Sequence, residues 1–204
     1  MNKKLILISF AVVIGIAGLA VGVLLITGPK DPLPVTQQES EIKLSADGSR
    51  DYGACTFISK DLVKSTIGEP AAKLQGPDTV GLALLANGDQ VQVCAYSFIE
   101  GGTLENQFNV ADGFSVEVFI HKDVESLTAY STLHDPGAEI VSGVGDKATY
   151  KSETFTDGRV SYRLIVYSNL KHYTFVINQP VDLKKFTKDG ARAMLTTIAK
   201  SANY

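Results

Sequence analysis

Between Leu5 and Thr27 the chain runs for 23 residues without a charge, as LILISFAVVIGIAGLAVGVLLIT. A helix rises about 1.5 Å per residue, so this run covers the roughly 30 Å of hydrocarbon in a bilayer. A cleavable signal peptide has an apolar core of about 7–15 residues ahead of a small-x-small site. Here Leu24, Leu25 and Ile26 carry the apolar character almost to Gly28-Pro29. The expectation is an uncleaved transmembrane signal anchor over residues 5–27 behind a short cytoplasmic tail, residues 1–4, with cleavage as the alternative. Lipidation needs a cysteine directly after a short apolar run, and the first one, Cys55, lies far downstream. Lys3 and Lys4 on the short side face Lys30 and Lys43 on the long side, a weak positive-inside bias that puts the C-terminal part outside the cytoplasm. Gly18 and Gly22 have the GxxxG spacing that lets two membrane helices approach closely, although glycine is frequent in such helices in any case.

The rest of the chain divides into a tether and one domain. Residues 28–50, GPKDPLPVTQQESEIKLSADGSR, hold three prolines, several charges and no periodic apolar face, the composition of a flexible linker. Residues 51–204 suffice for a single core. The net charge of −3 and the lack of a basic patch give nucleic acid no foothold. Cys55 and Cys94 form an even pair beyond the anchor; in an oxidising compartment such a pair closes, and two buried free thiols are the alternative.

Local signals place the elements. Ser59 reads as an N-cap, Ile58 and Val63 as a hydrophobic staple, and Gly68 followed by Pro70 as a stop, which gives a helix over 60–67. Val80–Leu85 and Gln90–Ile99 flank Asn87-Gly88, a hairpin turn. Residues 100–113 are polar and glycine-bearing and read as a loop. Phe114, Val116, Val118 and Ile120 alternate as a half-buried strand, and Val124, Leu127 and Tyr130 recur at helical spacing after a capping Asp123. Runs over 147–155, 159–167 and 172–178, joined at Asp157-Gly158 and Ser168-Asn169, form a meander. A last helix is expected over 182–201, with Leu183, Phe186, Met194, Leu195, Ile198 and Ala199 as its apolar stripe and Gly190 weakening its middle. The fold class that follows is α+β, a mostly antiparallel sheet packed against helices, preceded by one N-terminal transmembrane helix.

Three stretches carry a resemblance: Cys55-Thr56-Phe57-Ile58-Ser59 at the entry to the first helix, Cys94-Ala95-Tyr96 in a strand, and Gly143-Val144-Gly145-Asp146-Lys147-Ala148 before the meander. Over about Tyr52 to Ala202 the chain resembles small bacterial envelope domains, abundant in actinobacterial lipoproteins and secreted proteins, that have no assigned function. The resemblance implies a disulfide and a sandwich of sheet and helices similar in architecture to photosystem accessory proteins, and it implies no reaction. This chain departs from the pattern by carrying a membrane span where those proteins carry a lipidated cysteine.

No constellation reads as an active site. Gly143-Val144-Gly145-Asp146 lacks the third glycine and the following helix of a dinucleotide fingerprint, so it reads as a tight turn or binding loop with Asp146 bonding local backbone. His121, His134 and His172 have no metal-ligand spacing and read as solvated or hydrogen-bonded, with convergence in space left open. No Gly-x-Ser-x-Gly is present. The carboxylate pairs Asp182 with Asp189 and Glu117 with Glu125 read as solvated faces. Tyr150, Tyr162, Tyr167, Tyr173 and Phe175 read mainly as core, a few of them as a binding surface on the outer sheet face. The expectation is a non-catalytic, cofactor-free, metal-free extracytoplasmic binding or accessory module of the cytoplasmic membrane, held through Leu5 to Thr27 and contacting a protein or envelope component. The alternative is an envelope hydrolase with scattered catalytic residues, such as His121 or His172 beside a carboxylate in a cleft.

Overall fold

The computed structural model describes residues 43–44, 50–100 and 111–204. The expected anchor with Gly18 and Gly22, and most of the expected tether, lie outside the described residues. Among the described residues no helix is long and apolar enough to cross a membrane.

The elements run β1 (Lys43–Leu44), β2 (Arg50–Asp51), α1 (Lys60–Ile67), a 3-10 turn (Glu69–Ala71), β3 (Gln75–Leu84), β4 (Gln90–Ser97), β5 (Gly113–Ile120), α2 (Val124–His134), β6 (Glu139–Ile140), β7 (Lys147–Thr154), β8 (Arg159–Ser168), β9 (Lys171–Pro180) and α3 (Lys188–Lys200). β1 and β2 pair with each other, so part of the stretch expected as tether is folded back. The other seven strands form one sheet in the order β3-β4-β5-β9-β8-β7-β6, antiparallel at every pairing. The α2 connection carries the chain from the middle of this sheet to its far edge, and the meander β6 to β9 walks back to lie beside β5. The α+β class expected from sequence is therefore the class observed.

Alternation along the strands gives the sheet two unlike faces. On the inner face Cys94, Tyr96, Phe114, Tyr150, Leu164 and Phe175 join Ile58, Val63 and Ile67 around α1 and Ala191, Leu195 and Ile198 of α3 in one buried cluster. On the outer face α2 contributes Leu127 to a cluster with Ile165 and Tyr167, with Tyr130 packed against it. Of the meander aromatics, Tyr150, Tyr162, Tyr173 and Phe175 belong to the inner core and Tyr167 to the outer cluster.

The caps of α1 are those its sequence announces. Ser59 Oγ accepts the Leu62 N–H at 3.2 Å, and Gly68 leaves the helix at φ 76°. Cys55 and Cys94 are bonded, which ties the entry of α1 to β4. Gln92, two residues earlier on β4, accepts the N–H groups of Tyr52 and Ala54, each at 3.0 Å, so this entry is held covalently and by hydrogen bonds.

Three expectations are corrected. α3 begins at Lys188, not at 182, because Thr187 is its N-cap and because the backbone of Phe186 is bonded elsewhere: its N–H donates to Gln179 Oε1 and its C=O accepts from Tyr162 Oη. Gly190 consequently sits in the first turn, where its N–H donates to Thr187 Oγ1 at 3.1 Å. β3 begins at Gln75 and pairs with β4 through two register shifts, and β4 ends at Ser97, two residues short of expectation. β6, which no sequence signal marked, pairs Glu139 with Tyr150 and Ile140 with Thr149.

Candidate functional site

Gly143, Gly145 and Asp146 form a turn. Gly143 and Gly145 have φ values of 75° and 57°, and a Cβ on Gly145 would fall 2.5 Å from Val166 Cγ1 and 2.8 Å from the Tyr167 carbonyl oxygen, so glycine is required there. Asp146 is expected to bond local backbone; instead its carboxylate accepts the Asn169 N–H at 3.1 Å, pinning this turn to the one between β8 and β9. These groups are engaged in the fold.

Elsewhere register gathers three polar residues that are far apart in sequence. Gln90 of β4 pairs with Ile120 of β5, and Ile120 pairs with Lys171 of β9. Asp89, just before β4, His121, just after β5, and His172, second in β9, therefore meet at one end of the sheet on its outer face. His121 Nδ1 lies 3.0 Å from Asp89 Oδ2, and His121 Nε2 lies 2.8 Å from His172 Nδ1. Asp89 also accepts the Ser126 hydroxyl at 2.5 Å and the Lys122 N–H at 3.1 Å.

The hydrogen positions follow from the partners. A carboxylate only accepts, so His121 carries its proton on Nδ1 and presents a lone pair at Nε2, to which His172 Nδ1–H donates. His172 Nε2 then holds a lone pair, and among the described residues it has no partner. Burial raises the Asp89 carboxyl, but the bonds from Ser126 and Lys122 and the neighbouring His121 together take it below its ordinary value. Burial lowers His121 against the opposing pull of Asp89, and burial lowers His172 well below the usual range, with His121 and His134 adding to the effect. At neutral pH the array is Asp89 ionised and two neutral imidazoles.

Aromatic rings close over it. Tyr130 of α2 stacks on His172 with centroids 3.9 Å apart and on His134 at 4.1 Å, and Phe119 stacks on His172 at 4.3 Å. His121 is 2 % exposed and His172 0 %. The order carboxylate, imidazole, imidazole is that of a proton relay, but its terminal nitrogen is sealed from any substrate. The histidines, expected as solvated or hydrogen-bonded with convergence left open, are brought together through Tyr130, two of them in direct contact.

An open site lies next to it. Between the C-terminal end of α2 and strands β7 and β8 is a groove of about 410 Å³, lined among others by Leu133, His134, Lys151, Glu153, Phe155 and Arg163. Lys151 Nζ pairs with Glu153 Oε1 at 2.6 Å. Arg163, directly opposite Lys151 on β8, is half-buried, and among the described residues its guanidinium has neither an ion pair nor a hydrogen bond. Glu117 faces the same side of the sheet; burial pushes its carboxyl up to about 7, with Arg163 opposing. The sequence reading of Glu117 as a solvated carboxylate does not hold, whereas Glu125, Asp182 and Asp189 are exposed. Among the described residues no cluster of His, Cys, Asp and Glu is arranged to hold a metal ion.

Sequence reasoning passed over Asp89, which looks like part of the Asn87-Gly88 turn, and Arg163, which looks like one more surface charge. The usable signal was that Asp89, His121 and His172 sit at the ends of strands that a correct strand order makes neighbours. Comparison with protein-family models, curated proteins and solved structures finds no match.

Proposed function

We propose that this chain is a non-catalytic binding or accessory module, held on the cytoplasmic membrane by Leu5 to Thr27, with its α+β domain outside the cytoplasm and in contact with a protein or a cell-envelope component. The observation that carries the reading is the contrast between the two polar sites: the array with acid–base chemistry is sealed, and the groove open to solvent offers recognition chemistry. The Cys55–Cys94 bond fits an oxidising compartment, and the apolar run fits a single span. The resemblance to small bacterial envelope domains supports the same placement. Gly18 and Gly22 are available for pairing with another membrane helix in this arrangement.

The test is crosslinking on intact cells of the full-length protein beside a version with an unrelated membrane anchor, followed by identification of what copurifies. The same partner with both places function in the domain; a partner lost with the native anchor moves it into the membrane and contradicts the role given to the domain.

The hydrolase reading keeps one specific observation in its favour, the Asp89–His121–His172 alignment with a free terminal nitrogen. It requires Tyr130 to move. Tyr130→Ala, which uncovers His172, then raises reactivity toward a histidine-directed acylating reagent and yields hydrolysis of activated esters if the relay is competent; reactivity without hydrolysis removes that reading.

A further inference from the structure

The groove adjoins a sheet edge that is only half used. β7 has eight residues, and β6 pairs with only Thr149 and Tyr150. Val141 N–H donates to the Ala148 C=O at 2.9 Å, which fixes the side of β7 that faces β6. Backbone groups alternate in an antiparallel ladder, so those of Ala148, Tyr150, Ser152 and Thr154 point to that side, and those of Thr149, Lys151 and Glu153 point to β8. Ahead of β6 the chain turns away, with Ala138 N–H donating to the Asp135 C=O at 2.8 Å, while Asp135 is held over the outer face by Thr149 and Tyr167. Among the described residues, Ser152 and Thr154 have no strand partner on that side. An N–H and a C=O on each are presented in a row.

We propose that this edge of β7 takes an extended acidic peptide as an added strand, with a carboxylate of the peptide reaching Arg163 in the groove. Backbone pairing at Ser152 and Thr154 gives the register, and alternate side chains of the added strand fall on the outer face beside Lys151 and Glu153. Two carboxylates that feel the charge of Arg163, Glu153 and Glu117, leave its planar fork unpaired among the described residues: Glu153 is taken by Lys151, and Glu117 makes no ion pair. An arginine fork matches a carboxylate with two parallel hydrogen bonds. Leu133, 74 % exposed, and Phe155 supply apolar walls for the residues that flank the acidic one. The alternative for this edge is simple protection, since a short neighbouring strand and a lysine both discourage pairing; a guanidinium left without a partner beside it argues for recognition. The inference rests on the groove being the recognition site of the proposed module.

The probe is a synthetic peptide, fluorescein-Thr-Val-Glu-Val-Thr-Val-amide, into which the full-length chain in nanodiscs is titrated with fluorescence anisotropy as the readout. Three controls accompany it: the same peptide with Gln for Glu, one with alternate backbone amides N-methylated, and the protein variants Arg163→Met and Arg163→Lys. The expected result is about a tenfold to hundredfold loss of affinity on replacing Glu by Gln, the size of a charge-assisted bond. Arg163→Met gives the same loss, with no further loss when both changes are combined; Arg163→Lys recovers part of it. N-methylation abolishes binding. Equal affinity for the Glu and Gln peptides, additive losses, or binding that tolerates N-methylation each overturn the proposal. Absence of peptide binding with crosslinking that still finds a partner through the domain overturns this proposal and leaves the binding-module reading standing. Failure of both removes both.

Discussion

The two faces of the seven-stranded sheet are built from the same strands and carry different chemistry. On the inner face two helices and a disulfide press on an aromatic and aliphatic layer in which Phe114, Leu164, Phe175, Leu195 and Ile198 are all 0 % exposed. On the outer face one helix covers a small apolar cluster, and around it stand an ionised aspartate, two hydrogen-bonded histidines, a desolvated glutamate and an arginine without a partner among the described residues. An apolar layer needs only volume and shape; a polar one must also satisfy every donor and acceptor. The inner face concentrates the packing that holds the fold, and the recognition proposed above falls to the groove on the outer face.

The largest expected effect comes from the inner face. Replacing both Cys55 and Cys94 by serine opens a loop closed at a sequence separation of 39 and lowers stability by about 4 kcal/mol in the chain-entropy model, read as a shift in the urea midpoint. A shift under about 1 kcal/mol would mean that the hydrogen bonds from Tyr52 and Ala54 to Gln92 hold the entry of α1 unaided. Leu195→Ala, in the same layer, costs about 3 kcal/mol, and Leu127→Ala under α2 costs less, about 2 kcal/mol, because the outer cluster is smaller. Equal losses would erase the distinction drawn between the faces.

The pH dependence contributed by the histidines and Glu117 of the outer face has two opposed parts. The depressed histidines stay neutral in the fold, so as pH falls below about 6.5 the unfolded chain takes up protons that the folded chain refuses, and stability drops. Glu117, raised to about 7 from 4.5, is protonated in the fold before it is in the unfolded chain, so its contribution is full below pH 4.5 and is lost as pH rises through 7. Between pH 7 and 4.5 the two slopes oppose each other. Glu117→Gln removes one of them and makes stability fall more steeply on acidification below 6.5, measured by urea midpoints at half-unit steps; an unchanged profile would mean that Glu117 titrates normally. The smallest effect is expected from Leu133→Ser, within about 0.5 kcal/mol because the side chain is 74 % exposed.

Local signals made much of the fold legible. The capping of α1 and α2, the Asp157-Gly158 turn and the alternating strand β5 each depend on a few adjacent residues, and each appears where the sequence places it. The start of α3 was misplaced because Leu183 and Phe186 continue its apolar spacing, while the competing interaction, Gln179 holding Phe186 from the end of β9, is tertiary. The beginning of β3 was missed because Gln75-Gly76-Pro77-Asp78 reads as a breaker. The histidine array was illegible for a deeper reason: Asp89, His121 and His172 are neighbours only once β9 is inserted beside β5, and no local pattern encodes that order.

The division between the faces is tested most directly by placing a photoreactive side chain at Leu133, beside the groove, and in a second protein at Lys64, on the exposed side of α1, in the membrane-bound full-length chain on intact cells. A discrete crosslinked partner from position 133 and none from position 64 is the expected result. A partner captured from position 64 alone would contradict it, and would move recognition to the face assigned to stability.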